Sequence, residues 1–200
     1  SSAASDVYKR QVYPIEKANE SKGKEDILQK VQKSKNSPAK ELLDISLDAE
    51  EYTVTFVANG QTVTRKALFD WSKEDNERIR YYSGTAIYKT TFPWKYKEQK
   101  DRQVYLHLGT VYNLATVRVN GIDCGTVWTA PYRADITAAL KKGTNELEIE
   151  VTNTWANALK GTDEGKAPFE GIWTNAKYRK QENTLLPGGL LGPLYLEQSN

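Results

Sequence analysis

The sequence predicts an all-β protein, an antiparallel β-sandwich or barrel built from short strands, and three observations lead to this prediction. Apolar and polar residues alternate over residues 104–108 and 115–119, and a period of two residues is typical of strands with one buried face. Asn-Gly pairs occur at residues 59–60 and 120–121, and this dipeptide readily adopts the positive φ angles of tight hairpin turns. Turn signals recur every ~8–12 residues, the spacing expected of a sandwich.

The remaining elements follow in chain order from the same signals. Ser72 is predicted to cap a short helical turn, with Asp75 at the reciprocal position. Residues 141–145 (Lys-Lys-Gly-Thr-Asn) are predicted to join a third strand pair, and the strand after Pro193 is predicted to lie at an edge, because proline cannot donate to a ladder. The predicted strands are residues 52–56, 62–66, 85–92, 104–108, 115–119, 122–128 and 147–151.

Composition limits the classes of function. The chain has 200 residues with 5 Trp, 12 Tyr and 4 Phe, enough apolar material for one domain with a core. Its net charge of +2 arises from 28 basic and 26 acidic residues. The sequence shows no cluster of basic residues of the kind that would indicate nucleic-acid binding. No apolar run reaches the ~18–20 residues that span a bilayer. Cys124 is the single cysteine, which rules out an internal disulfide.

Two regions are predicted along the chain. Residues 1–42 are rich in lysine and lack aromatic residues after Tyr13, so we expect a flexible linker or a non-native start. Residues 1–11 resemble a translated sequencing adaptor. The sequence begins with Ser1 and has no methionine, from which we expect a piece or a processed form of a longer protein. Residues 43–200 are predicted to form the β-sandwich.

Titratable residues give little indication of catalysis or of a metal or cofactor. Glycoside hydrolysis needs two carboxyl groups that face one another, whereas Glu146, Glu148 and Glu150 alternate along one strand and predict a solvated face. Asp163, Glu164 and Glu170 fall in a glycine-rich loop without the spacing of a calcium loop. His107 is predicted to point outward, and Cys124 to be a small packed residue. No Gly-x-Ser-x-Gly turn presents a nucleophile.

Aromatic residues beside irregular segments are the best candidates for binding. An indole can stack on the CH face of a sugar, while amide and guanidinium groups bond its hydroxyls. Tryptophan also packs in cores and at domain interfaces, and both alternatives stay open. The candidate residues for carbohydrate binding or domain docking are Trp128, Tyr132, Arg133, Asn153, Trp155 and Trp173, with Asn157 as a further polar partner.

Several segments resemble a known family. Residues 86–92 (Ala-Ile-Tyr-Lys-Thr-Thr-Phe), 117–121 (Val-Arg-Val-Asn-Gly), Gly125 and 140–147 (Leu-Lys-Lys-Gly-Thr-Asn-Glu-Leu) are similar to the galactose-binding-like jelly roll of glycoside hydrolase family 2. A closer resemblance is to the C-terminal sandwich of family 106 α-L-rhamnosidase-type proteins. It rests on residues 81–86 (Tyr-Tyr-Ser-Gly-Thr-Ala), 127–133 (Val-Trp-Thr-Ala-Pro-Tyr-Arg), 152–155 (Thr-Asn-Thr-Trp) and 190–194 (Leu-Leu-Gly-Pro-Leu).

The resemblance implies a non-catalytic accessory domain of a larger enzyme. In such enzymes the catalytic carboxylates lie on a separate barrel domain, against which this domain would pack or whose rim it would shape. Some family 2 domains place an acidic loop residue in the substrate pocket, but residues 128–133 carry no carboxylate before Asp135. The resemblance also implies a periplasmic or extracellular parent. Two alternatives are an autonomous carbohydrate-binding module and a protein–protein adhesion sandwich.

Overall fold

The computed structural model describes residues 45–47, 51–95, 102–175 and 184–199, all within the compact unit Glu41–Asn200. The linker predicted for residues 1–42 and its boundary lie outside the described residues. Within these ranges, no helix is both long and apolar enough to cross a membrane.

Twelve strands and two short α-helices make up the described part of the chain. The helices are Glu77–Arg80 and Ala156–Asp163, and single 3-10 turns lie at Trp71–Lys73 and Thr137–Ala139. The strands are β1 Ile45–Ser46, β2 Tyr52–Phe56, β3 Gln61–Arg65, β4 Thr85–Trp94, β5 Gln103–His107, β6 Thr110–Tyr112, β7 Leu114–Val119, β8 Ile122–Val127, β9 Arg133–Asp135, β10 Gly143–Thr152, β11 Gly189–Gly192 and β12 Tyr195–Ser199.

The strands form two main sheets with antiparallel pairing. One has six strands in the order β3-β2-β4-β10-β7-β8, the other has four in the order β1-β12-β5-β9, and β11 pairs with β6. Buried residues of both main sheets, such as Leu106 and Ile149, belong to a single core cluster. The predicted antiparallel β-sandwich is therefore confirmed.

Both Asn-Gly hairpins form where the sequence predicts them. β2 pairs with β3 across residues 57–60, and Gly60 has a φ of +68°. β7 pairs with β8 across Asn120 and Gly121, whose φ angles are +52° and +80°. Positive φ at two successive residues is what this dipeptide tolerates better than other pairs.

An aromatic cluster fills one part of the core. The rings of Phe56, Trp71 and Tyr82 meet edge to face, with centroids 4.9–5.6 Å apart, which is the preferred geometry of aromatic pairs. The Trp71 Nε1 group donates to the Tyr88 hydroxyl at 2.7 Å. Gly189 lies against this ring at φ +104°, where a Cβ would fall 2.5 Å from Trp71 Nε1.

The strand pair predicted to be joined by residues 141–145 does not form. β9 pairs with β5 in the four-stranded sheet, whereas β10 pairs with β4 and β7 in the six-stranded sheet. Residues 136–142 thus cross between sheets, and the Asn145 amide holds this connection through bonds with Lys141 N at 2.9 Å and Lys141 O at 2.8 Å. The turn-forming composition was recognised correctly, but not the partners of the strands that it joins.

Three smaller predictions also need correction. Asp70 caps the turn Trp71–Lys73 and Asn76 caps the helix Glu77–Arg80, so Ser72 and Asp75 are not the caps. β4 continues through Pro93 to Trp94. β12 lies between β1 and β5, so the strand after Pro193 is internal.

The second helix was not predicted. Ala156–Asp163 forms an α-helix where the sequence suggested a loop around Asp163. Its glycine, Gly161, permits close packing because a Cβ there would lie 2.9 Å from Tyr81 Cβ. Glycine weakens a helix interior, and this tertiary contact explains why it stands there.

Candidate functional site

One end of the six-stranded sheet carries most of the irregular segments, and we call it the loop end. Thr152 at the end of β10 pairs with Thr85 and Leu114, and Ala115 beside Leu114 pairs with Val127 at the end of β8. Trp128 and Trp155 therefore both emerge at this end. The loop end comprises residues 57–60, 128–132, 153–175 and 184–188.

Large apolar side chains are exposed at the loop end. Trp128, Trp155 and Trp173 have 71%, 57% and 80% of their surface accessible. Val57 and Leu186 are also more than half exposed there, whereas Ile122 lies at the Asn120-Gly121 turn at the opposite end of the sheet. Exposed apolar side chains that share one region of a surface mark an interaction site more reliably than scattered ones.

The environments of these aromatics differ. The Trp155 ring meets Phe169 edge to face at 6.1 Å, and Phe169 in turn contacts Tyr82 at 6.0 Å. Tyr132 is half-buried against the core, and its carbonyl accepts from Leu108 N at 2.8 Å. The structure therefore anchors Tyr132, while the exposed Trp128 ring is left to face solvent.

Arg133 lies on the four-stranded sheet, directly after the loop-end segment 128–132. It begins β9, and its guanidinium lies 4.5 Å from the centre of the Tyr105 ring. Its neighbour across the ladder, His107, pairs with Glu197 at 2.5 Å and stacks on Tyr195 at 4.4 Å. His107, predicted to point outward, is thus partly covered, with 12% of its side chain exposed.

Asn153 and Asn157 hold the backbone in place. Asn153 Oδ1 accepts from Gly84 N at 2.8 Å, and its Nδ2 donates to Tyr82 O at 3.0 Å. Asn157 is buried and makes the same two-sided contact with the backbone of Leu186, at 2.9 and 2.7 Å. These amides fix the start of β4 and the chain before β11, so their role at the loop end is structural.

A groove at the loop end involves residues that sequence reasoning did not single out as a site. It lies between the β2–β3 turn, the helix Glu77–Arg80 and residues 167–172, and its lining includes Asn59, Arg78, Phe169 and Glu170. These residues lie far apart in sequence and follow no shared period, so no local pattern indicates the groove.

The outer face of the six-stranded sheet carries a network of ion pairs. Lys89 Nζ lies 2.9 Å from Glu148, and Arg118 Nη1 lies 3.1 Å from Glu148 and also bonds Glu150. The hydrogen bond from Lys89, followed by that from Arg118, holds the pKa of Glu148 below its usual value. A general acid needs a raised pKa, so Glu148 does not suit acid catalysis.

The described residues show neither a reactive thiol nor a cluster that could hold a metal. Cys124 is half-buried, and burial raises the pKa of its thiol, which lowers the fraction of nucleophilic thiolate. Within the described ranges, no group of three or more His, Cys, Asp and Glu side chains is arranged to hold a metal.

Comparison with known proteins identifies the family. Residues 66–185 match the model described as the galactose-binding domain-like domain of glycosyl hydrolase 2. This match covers more than half of the chain. The chain belongs to this family of galactose-binding-like β-sandwich domains from glycoside hydrolases, and the resemblance seen in the sequence is confirmed.

Individual relatives are much longer proteins. The chain is 36% identical over 174 residues to a Formosa agariphila protein named "Putative beta-glucuronidase", covering 73% of the chain and 15% of that protein. The structure of a rhamnosidase from Novosphingobium sp. PP1Y is 38% identical with a TM-score of 0.69, covering 77% of this chain and 15% of the other. An FMN-binding beta-glucuronidase from Faecalibacterium prausnitzii L2-6 is 25% identical with a TM-score of 0.53, over 78% and 22%.

Proposed function

We propose that this chain acts as a non-catalytic accessory domain that docks its loop end onto the catalytic domain of a larger glycoside hydrolase. The observation that carries the proposal is the exposure of Trp128, Trp155 and Trp173 on one end of a well-packed sandwich. Aromatic side chains are enriched at the centres of protein interfaces. The catalytic domain is the partner we infer for this surface, because the chain spans only 15–22% of the length of these relatives.

We favour a parent enzyme of the α-L-rhamnosidase type, which would act on rhamnosides. The support is the likeness to the Novosphingobium rhamnosidase, at 38% identity over 77% of this chain. The relatives named as β-glucuronidases represent the alternative, and assays of the intact enzyme on rhamnosides and glucuronides distinguish the two.

The test of docking is the substitution Trp128→Ala. The 200-residue chain and the remainder of its parent enzyme are produced separately, and their association is measured by calorimetry. Because hot-spot aromatics contribute about 2 kcal/mol or more, we expect Trp128→Ala to weaken binding at least ~30-fold. The side chain is 71% exposed, so the isolated domain should keep its stability.

Ile122→Ala is the matched control, since Ile122 is also exposed, at 50%, but lies at the opposite end of the sheet. It should change the affinity less than about twofold, as expected outside an interface. Equal affinities of the Trp128 and Ile122 variants, or no association at all, would show that the loop end does not dock.

A further inference from the structure

The two Asn-Gly turns differ in what holds the backbone nitrogen of glycine. In an Asn-Gly pair this nitrogen can attack the side-chain amide of asparagine, because glycine has no side chain to obstruct the approach. In the β2–β3 turn, Gly60 N donates to Phe56 O at 2.9 Å. In the β7–β8 turn, Gly121 N makes no hydrogen bond with any residue that the structure describes. The Gly121 nitrogen is therefore available as a nucleophile, whereas the Gly60 nitrogen is engaged.

The geometry of the β7–β8 turn explains this difference. Only Asn120 and Gly121 connect Val119 to its ladder partner Ile122, and their φ angles are +52° and +80°. In a two-residue turn of this kind the closing hydrogen bond joins the residues on either side, so the N–H of the second central residue points outward. Gly121 is also exposed. Solvent base thus reaches the N–H proton that must leave before the nitrogen attacks.

The side-chain carbonyl of Asn120 faces a hydrogen-bond donor. Its Oδ1 accepts from Glu146 N at 3.0 Å, and a donor at this oxygen stabilises the negative charge that develops when the amide carbon is attacked. Asn59 Oδ1 has an equivalent donor, Gln61 N, also at 3.0 Å. The two asparagines therefore differ at the glycine nitrogen and not at the carbonyl.

We propose that Asn120 is a site of spontaneous deamidation in the folded domain, and that Asn59 is protected. Gly121 N loses its proton to solvent base and forms a bond to Asn120 Cγ, and the Cγ–Nδ2 bond breaks as the nitrogen takes up a proton and leaves as ammonia. The product is a cyclic imide. Water then adds to either imide carbonyl, the bond from that carbon to Gly121 N breaks, and the nitrogen recovers a proton. Residue 120 becomes aspartate or isoaspartate.

The modification removes a contact between the turn and the connection at residues 136–142. Asn120 Nδ2 donates to Ala139 O and to Asn145 Oδ1, both at 2.8 Å, and Asn145 is fully buried. A carboxylate has no hydrogen to donate, so the product places its oxygens against two acceptors. Deamidation therefore loosens the packing of the connection that crosses between the sheets. The same two bonds hold the leaving nitrogen, so the folded chain reacts more slowly than the unfolded one.

The test is peptide mapping by mass spectrometry of the 200-residue chain after incubation at mildly alkaline pH. We expect residue 120 to deamidate at least about tenfold faster than residue 59, because an N–H group that is bonded in the fold reacts only through local opening. The same incubation in concentrated urea is the control. There both turns are unfolded, and the two rates should lie within about threefold of one another.

A substitution tests the structural consequence. Asn120→Asp reproduces one product and should lower the midpoint of urea denaturation. Asn113→Asp adds the same charge and is the matched control, since the Asn113 side chain is exposed and makes no hydrogen bond with the described residues. The proposal is overturned if Asn120 stays intact in the native chain, if Asn59 reacts there as fast as Asn120, or if the two variants have equal midpoints.

Discussion

Tyr88 places its hydroxyl group inside the core, where two N–H groups from distant parts of the chain donate to it. Trp71 Nε1 lies at 2.7 Å and Leu190 N at 3.2 Å. The ring is buried, and this burial raises the pKa of Tyr88, so the hydroxyl stays neutral. One oxygen thereby connects the turn Trp71–Lys73, the six-stranded sheet and β11.

At the residue scale, we predict that Tyr88→Phe destabilises the domain by about 1–3 kcal/mol, because it leaves buried donors without an acceptor. Urea denaturation at neutral pH measures the change. Tyr105→Phe is the matched control, since its hydroxyl donates to Gln103 at an exposed site, and its cost should be below about 0.5 kcal/mol. Equal midpoints for the two variants would contradict the role given to the Tyr88 hydroxyl.

At the scale of elements, the outer face of the six-stranded sheet joins three adjacent strands through charge. Glu148 on β10 lies directly opposite Lys89 on β4 and Arg118 on β7. Opposite charges at facing positions stabilise a sheet modestly. The three partners are part-exposed, with 63%, 28% and 31% of the Lys89, Glu148 and Arg118 side chains accessible, so solvent weakens each pair.

The lowered pKa of Glu148 gives this network a pH dependence. A carboxyl whose pKa is lower in the folded state stabilises the fold above its unfolded pKa, and this stability is lost as the pH falls through the folded value. We predict that Glu148→Gln costs up to about 1 kcal/mol at pH 7. The difference from the parent chain should shrink as the pH falls from about 5 to about 2.

Denaturation by urea across this pH range measures the effect. Glu146→Gln is the control, because Glu146 lies on the same face of β10, is exposed, and makes no ion pair with the described residues. A Glu148→Gln penalty that stays constant down to pH 2, or that grows on acidification, would contradict the prediction. High salt should reduce the penalty at pH 7.

At the scale of the whole molecule, the described part of the sandwich exposes Trp128, Trp155 and Trp173 at its loop end and carries a network of ion pairs on its outer sheet face. Glu148 and Glu150 lie on one strand, and both bond the same Arg118 guanidinium. Glycosidases place their two carboxyl groups on opposite sides of the scissile bond. The galactose-binding-like domain family, the exposed aromatics and the groove all agree with a role in docking or recognition.

We therefore predict that the purified 200-residue chain does not hydrolyse aryl glycosides of rhamnose, galactose or glucuronic acid. Release of nitrophenol over a day at several pH values is the measurement. Turnover that is lost on substitution of Glu148 or Glu150 by glutamine would refute the prediction, whereas turnover unaffected by these substitutions points to a contaminating enzyme.

Features of the fold that depend on neighbouring residues could be predicted from the sequence more accurately than those that depend on distant ones. The alternations at 104–108 and 115–119 and the two Asn-Gly turns predicted strands and hairpins correctly, because pleat and turn geometry depend on neighbouring residues. Whether Trp128, Trp155 and Trp173 bind a partner stays a prediction until the variants are measured.

The sequence by itself determined the fold class, the family and the apolar faces of the strands, because hydrophobic periodicity and short motifs indicate all three. Only the tertiary structure decided that β9 and β10 join different sheets, because the choice of partner strand depends on contacts between distant residues. The same holds for the groove, where the Asn59 amide bonds the carbonyls of Arg78 and Pro168. Packing in three dimensions, and no local pattern, brings these segments together.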